Sequence, residues 1–263
     1  MGASERSLRV EAVVLRHADY GEADRLLTVF SREAGKLRLI AKGVRRIHSR
    51  KAGHLEPFTR VTLMLARGRD LWIVTQAETV EAYLPLREDL LRTGYAAYAV
   101  ELLDRFSYEE GENRDLYQLI VQTLQRISIE ADAFPAVRYY EVRLLDLLGF
   151  RPQLQRCLGC GELIQPEDQF FSAEHGGVFC PRCRSNDLSA RSVSVAVLKA
   201  LRHFQRSSYT EAMRLELTPA MRGELESLLQ YYLTYHLERS LNTPAFLRRV
   251  RSQAAAAKGN HVD

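Results

Sequence analysis

The sequence predicts an α+β chain of more than one domain: a small N-terminal β-barrel, then an α-helical domain interrupted by a four-cysteine insert. Three observations predict it. Five short Val/Leu-rich runs separated by turn residues fill the first 85 positions. Apolar residues recur at helical spacing after Pro85. All four cysteines of the 263-residue chain lie between Cys157 and Cys183.

The five strand-like runs are "LRVEAVVLR", "RLLTVFS", "KLRLIAKG", "RVTLMLA" and "LWIVTQAETVEAYL". Their alternation and length fit strands, and the links "REAG" and "RGRD" suit tight hairpins. The polar "HADYGEAD" is expected to follow the first strand as a turn. The link from Gly43 to Phe58 is long and basic. Five strands in so short a span fit a closed barrel such as the OB-fold, although an SH3-like barrel or a small sandwich shows nearly the same pattern.

Beyond Pro85, "LREDLLRTGYAAYAVELLDRF" predicts one helix and "DLYQLIVQTLQRIS" a second, with Leu116, Leu119, Ile120, Leu124 and Ile127 on one stripe. "FPAVRYYEVRLLDLLGF" predicts a third, ended by Gly149 with Pro152 beyond. After the cysteines, "SVAVLKALRHFQ" and "TPAMRGELESLLQYYLTYHLERS" are helical. Thr218 is placed to cap the latter and Pro219 to fill its first turn. Thr243 and Pro244 repeat that signal. The expected domains are 1–85, the barrel; 86–252, the helical domain with an insert at 153–187; and 253–263, a frayed tail.

Composition is that of a globular protein, 46% hydrophobic and 27% charged. No apolar stretch approaches bilayer length. The start lacks an apolar signal core, and Arg6 breaks the myristoylation pattern. These readings predict a soluble cytoplasmic protein, a compartment in which paired cysteines hold metal more often than they form disulfides.

The cysteines follow C-x2-C, nineteen residues, C-x2-C. A two-residue gap lets one turn present two thiolates to one ion, and four thiolates complete the tetrahedron that zinc prefers. Cys157, Cys160, Cys180 and Cys183 are therefore the expected ligands of one structural Zn²⁺. A closed coordination sphere leaves no position for substrate. A thioredoxin-like redox site would need a single CxxC opening a helix, which this is not. "DQFFSAEHGGVF" between the pairs predicts a hairpin turning at Gly176-Gly177, with His175 a turn residue. The segment is no basic finger: Arg151, Arg156, Arg182 and Arg184 face five acids.

Positive charge concentrates at the N-terminal end. Up to position 85 there are 15 basic and 10 acidic residues, against 22 and 23 in the rest. Residues 32–60 hold nine Lys/Arg against Glu33 and Glu56. Local charge of this kind points to a polyanion. The candidate nucleic-acid contacts are Lys36, Arg38, Lys42, Arg45, Arg46, Arg50 and Lys51. Alternation places Lys36, Arg38 and Lys42 around one face and Leu37, Leu39 and Ile40 mainly inward. Gly43, Ser49 and Gly53 suggest a loop able to mould to a strand. A solvated basic face is the bland alternative. With roughly six phosphate contacts, binding is expected to weaken about 10³-fold or more between 50 and 200 mM salt. No recognition helix is evident, so little sequence preference is expected.

No catalytic signature emerges. Walker A, Gly-x-Ser-x-Gly and HExxH sequences are missing. The seven histidines are scattered, Glu109, Glu110 and Glu112 read as a solvated loop, and Asp24 reads as a turn ion pair with Arg25. A binding protein, not an enzyme, is expected.

"VLRHADYGEADRLLTVFSREAGKLRLIAKGVRR", "SRKAGHLEPF", "LLGFRPQLQRCLGCG" and "GGVFCPRC" together resemble the RecO family of bacterial DNA repair proteins, from about Val10 to about Arg248. The resemblance implies an OB-fold and a helical domain with a zinc finger. It implies binding of single- and double-stranded DNA, annealing of complementary strands, and action with RecR and usually RecF to load RecA on DNA coated by single-stranded DNA-binding protein (SSB). It places the four cysteines as zinc ligands and Lys36 to Lys51 in the DNA-binding region. It also implies docking of the SSB tail on the helical domain, with Arg138 and Arg143 as candidates, and work in the bacterial cytoplasm at the nucleoid. An RNA-binding protein acting in ribosome assembly is the alternative that shares a basic barrel and a ribbon. A zinc hydrolase would need an open metal position.

Overall fold

The computed structural model of the chain describes residues 7–108, 111–237 and 241–259. Glu109 and Glu110, part of the predicted acidic loop, and Glu238 to Ser240, the end of a predicted helix, lie outside the described residues. So does the end of the predicted tail, 260–263. Contacts divide the chain into two units, one running to Ala133 and resuming at Asn242, the other spanning Phe134–Leu241. The helices that follow the barrel belong to its own unit.

In the first unit, β1 (Ser7–Tyr20), β2 (Asp24–Ser31), β3 (Gly35–Ala41), β4 (Arg60–Arg67) and β5 (Trp72–Glu81) close a barrel in the order β1-β2-β3-β5-β4. All neighbours are antiparallel except β3 and β5, where Leu39 pairs with Trp72 and Ile40 with Ile73. β1 serves two partners: Ser7 to Val13 pair with β4, and Ala12 to Tyr20 with β2, with a register shift between Val14 and Arg16. It runs on through "HADY", which composition had suggested as a turn, because ladder pairing with Asp24 to Leu27 holds even its polar end in a strand. Val10, Ala12, Val14, Leu27, Val29, Leu37, Leu39, Leu63, Leu65 and Val74 fill the interior. Strict alternation puts Ile40 on the outer face with Lys36, Arg38 and Lys42, not inward. Its half-buried position there shows that an apolar side chain need not face the core.

The predicted first helix is two, α1 (Pro85–Glu88) and α2 (Leu90–Phe106). Asp89 is extended and its carboxylate accepts from Arg92 N at 2.7 Å, so it stops one helix and caps the next. α3 (Arg114–Ile129) follows the predicted stripe, capped by Asn113. α8 (Thr243–Gly259) completes this unit against α2. Thr243 is the first residue of this helix and not the residue before it. Instead Glu101 of α2 accepts from Asn242 N (3.0 Å), Thr243 N (3.0 Å) and Thr243 Oγ1 (2.6 Å). The predicted tail from 253 continues as helix to Gly259. The barrel is tied to these helices by Glu11 of β1, which accepts from Tyr117 Oη of α3 at 2.8 Å and from Arg60 Nε at 2.7 Å.

The second unit holds α4 (Phe134–Leu147), a three-stranded sheet of β6 (Gln169–Ser172), β7 (Gly177–Phe179) and β8 (Arg191–Val193), then α5 (Val195–Arg206), α6 (Tyr209–Ala212) and α7 (Pro219–Leu237). Gly149 at φ +81° ends α4 as predicted. Phe150 N donates to Leu145 O and Gly149 N to Asp146 O, a Schellman closure. Thr218 Oγ1 accepts from Met221 N, capping α7 as predicted. The β6–β7 hairpin turns at Ala173–Gly176. Its third strand, β8, was not foreseen, since three residues carry too little pattern to read. No described helix is long and apolar enough to cross a membrane.

Candidate nucleic-acid interface and metal centre

Two candidate sites emerge, one in each unit. The first is the outer face of β3 and the loop after it. Arg38, Lys42, Arg45, Arg46 and Arg50 are exposed. The loop that carries four of them is built from hydrogen-bonded turns. Asp24 Oδ1 accepts from Gly43 N at 2.7 Å, Arg45 N donates to Ala23 O, Arg46 N to Gly43 O and Ser49 N to Arg46 O. Asp24 therefore anchors the basic loop and is not the expected turn partner of Arg25, whose guanidinium instead meets Asp19 and Glu56. Val44 is fully buried beneath the loop, whereas Ile47 stands almost wholly exposed beside the arginines. The segment is preformed, where its glycines had suggested slack. Arg45 is partly committed, its Nε lying 3.3 Å from Asp19 Oδ2.

Two lysines of the basic run point elsewhere. Lys36, 14% exposed, lies 2.7 Å from Asp104 Oδ1 of α2 and donates to the carbonyls of Asp104 and Ser107. Burial opposes charge on Asp104, but hydrogen bonds and charge from Lys36 and Arg16 outweigh it and lower its pKa. Lys51 Nζ donates to Val74 O at 2.9 Å, stitching the loop to β5, and burial lowers its pKa. Both positive charges support the site from within. Sequence spacing misses this because the partners are 68 and 23 residues away.

The second site is the cysteine cluster. The four sulfurs lie within 4.8 Å of one another, and Cys160 Sγ is 4.0 Å from Cys180 Sγ. A zinc ion with sulfur at about 2.3 Å needs sulfurs about 3.8 Å apart, so the set has the dimensions of one tetrahedral site. Backbone donors surround Cys157. Gly159 N and Cys180 N reach its sulfur at 3.4 and 3.2 Å. Burial raises the Cys157 pKa, but these and other hydrogen bonds bring it down to about 6. Bonds from the neighbouring sulfurs, with some burial, push Cys183 up to about 12. Four thiols packed so closely cannot all ionise by themselves, and a divalent cation is what permits it. Gly159 is required by close approach: a Cβ there would lie 2.8 Å from Cys183 Cβ and 3.0 Å from its sulfur. Leu158 N to Val178 O ties the first turn to β7.

His175 sits in the hairpin turn, as expected. With Glu174 and Asp187 it forms a second group of ligand-type atoms within 4.8 Å. Ser172 Oγ (3.0 Å) and Asp187 Oδ2 (3.7 Å) both face the same ring nitrogen, Nδ1. A Ser–His–Asp relay needs one partner on each nitrogen, so this is not one. Hydrogen bonds from Ser172 and Ser189 hold Asp187 down at about 2, which marks a structural carboxylate. His203 is likewise spent on Ser207 and Glu211 O, and His236 stacks on Phe150 at 4.3 Å. Of the arginines considered for an acidic tail, Arg138 is 1% exposed with its Nε 3.2 Å from the buried Glu141. It is a core ion pair. Arg143 is half-buried and binds Asp146 and Gln205 O.

A family model described as the C terminal of recombination protein O matches residues 87–245, and one for its N terminal matches residues 6–83. The chain is 43% identical over 247 residues to DNA repair protein RecO of Roseiflexus sp. (strain RS-1), covering 94% of this chain and 87% of that protein. It is 39% identical over 255 residues to DNA repair protein RecO of Pelotomaculum thermopropionicum, covering 95% and 97%.

Proposed function

The chain belongs to the RecO family of DNA repair proteins, and on that premise we propose that it mediates recombination by holding DNA strands on the basic face of its barrel. The observation that carries this reading is the preformed array Arg38, Lys42, Arg45, Arg46 and Arg50 on β3 and its loop. Sheet face and loops are where OB-type barrels take single strands. Cations on such a face lower the repulsion between two phosphate backbones brought to one surface. Base pairing then supplies the free energy, so annealing needs no nucleotide hydrolysis. Single- and double-stranded DNA share the phosphate chemistry that the face reads, which supports binding of both.

In this reading RecR, with RecF, joins the protein to direct RecA onto strands covered by SSB. Contact with the SSB tail raises the local concentration of the protein on covered DNA. The work takes place in the cytoplasm, at the nucleoid. Cys157, Cys160, Cys180 and Cys183 hold one structural zinc. When bound, that ion cross-links the ribbon and takes no part in turnover, which agrees with a set of four thiolates and no open position.

The test is annealing of complementary strands coated with SSB, followed by fluorescence without ATP. Acceleration by the wild type, lost on reversal of Arg45, Arg46 and Arg50 to Glu with the fold intact, is the expected result. No acceleration by folded, zinc-loaded protein refutes strand annealing. A strong preference for structured RNA would instead turn the assignment toward ribosome assembly.

A further inference from the structure

We propose that Ile47 is a wedge: while the arginines flanking it hold the phosphates of a DNA duplex, its side chain enters the base stack and opens one step. This rests on the reading of the basic face as a phosphate-binding surface and adds to it a contact with the bases. Ile47 lies in the loop between β3 and β4 and is 97% exposed, the most open large apolar side chain among the described residues. Two consecutive turns put it there. Arg46 N donates to Gly43 O at 3.2 Å and closes the first over Val44 and Arg45. Ser49 N donates to Arg46 O at 2.9 Å and closes the second, with Ile47 and His48 at its tip. The first turn sends Val44 inward, where it is wholly buried, and the second sends Ile47 outward. Arg45 N to Ala23 O (2.9 Å) and Gly43 N to Asp24 Oδ1 (2.7 Å) fasten the turns to the start of β2.

Turn tips favour Gly, Asn, Asp and Ser, which suit the backbone angles or bond the backbone themselves. An aliphatic side chain at such a tip adds nothing to the core and keeps apolar surface in water. Its β-branched χ1 is stiff, and the hydrogen-bonded turn beneath it fixes where it points. The surrounding charge selects the partner. Arg45, Arg46 and Arg50 are exposed on either side of it in the chain, and no acid occurs between Glu33 and Glu56. An apolar tip flanked by guanidinium groups matches a nucleic acid, in which phosphates flank apolar base faces. Single strands are taken on the flat faces of aromatic rings. Ile47 has no such face. Its gain comes from burial between two neighbouring bases, the way apolar wedges kink a duplex. Guanidinium forks on the phosphates hold the backbone while the step opens. Opening is least costly where pairing is already broken, so the wedge confers a preference for mismatched over perfect duplex.

The experiment uses the full chain and two short duplexes, one perfect and one with a central mismatch. Each carries aminopurine beside the central step, a base whose emission rises when it is unstacked. Emission and anisotropy are read at several salt concentrations for the wild type, Ile47→Ala and Ile47→Leu. The wild type is expected to raise the emission to saturation and to bind the mismatched duplex about 10-fold more tightly than the perfect one. Ile47→Ala loses both the rise and the preference, and Ile47→Leu keeps them. The slope of log affinity against log salt stays the same in all three, because no phosphate contact is removed. Tm is unchanged, since the side chain touches no core. Salt-dependent duplex binding with silent aminopurine in the wild type overturns the wedge and leaves the basic face standing. An equal rise in Ile47→Ala also overturns it, as does a lowered Tm, which would make Ile47 a structural residue. A change confined to self-association, read by sedimentation, overturns it in favour of a second copy of the chain. No duplex binding by the wild type overturns the wedge and the duplex reading of the barrel together.

Discussion

Lys36 separates charge that binds a partner from charge that holds the fold. Its ammonium lies 2.7 Å from Asp104, and the two side chains keep 14% and 17% exposure. Breaking a fully buried pair costs about 3–5 kcal/mol. Some solvent reaches this pair, and Asp104 retains Arg16 at 3.0 Å, so Lys36→Ala is expected to cost about 2 kcal/mol. For a unit of this size that lowers Tm by about 4–8 °C. The deficit depends on pH in a defined direction. Asp104 has a folded pKa below its ordinary 3.8, so its contribution is complete above that value and is lost as pH falls through the folded pKa. The gap between wild type and Lys36→Ala should therefore close in acid. Nucleic-acid affinity behaves oppositely: Lys36→Ala leaves the salt slope for a single strand unchanged, whereas Arg46→Ala lowers it by about 0.7. Thermal unfolding and a salt titration of strand binding on both variants measure all of this. A Lys36→Ala protein with an unaltered Tm and a slope reduced by about 0.7 would refute the assignment.

Other expectations concern the remaining parts. Cys157→Ser should carry less than one zinc per chain by mass spectrometry, and Gly159→Ala, which crowds Cys183, should lose metal faster to a chelator. Full zinc content in Cys157→Ser would contradict the ligand set. Glu101→Ala leaves the first N–H groups of α8 without their acceptor and should cost about 1–2 kcal/mol, seen as faster amide exchange at Asn242 and Thr243. Unchanged exchange there would mean that water replaces the carboxylate without loss. Burial opposes charge on Glu11 and Glu101, but their hydrogen bonds to Tyr117 and Arg60, and to Thr243 and Asn242, prevail and lower both pKa values. Their stabilisation is present above about 4.5, the ordinary value, and is lost as pH falls through the folded pKa. Glu11→Gln should therefore be less stable than the wild type above about 4.5 and approach it as the wild-type carboxylate is protonated, which calorimetry across about pH 3–6 measures; a gap that does not narrow in acid would contradict this.

Local sequence determined the elements of this protein. Period-two alternation placed Leu37 and Leu39 inside the barrel, Gly149 ended its helix because it accepts φ near +81°, and two CxxC turns brought four sulfurs together. These are short-range effects, set by backbone sterics and side-chain direction within a few residues. The tertiary structure decided which charges are available. Lys36 lies on the outward face of its strand, yet α2 presents Asp104 to it. Lys51 is spent on the Val74 carbonyl, and Arg138 on Glu141. A charge in sequence is the same symbol whether water or a carboxylate faces it. Its partner is chosen by chain closure over many residues, and that choice sets its desolvation, its pKa and whether a phosphate can reach it.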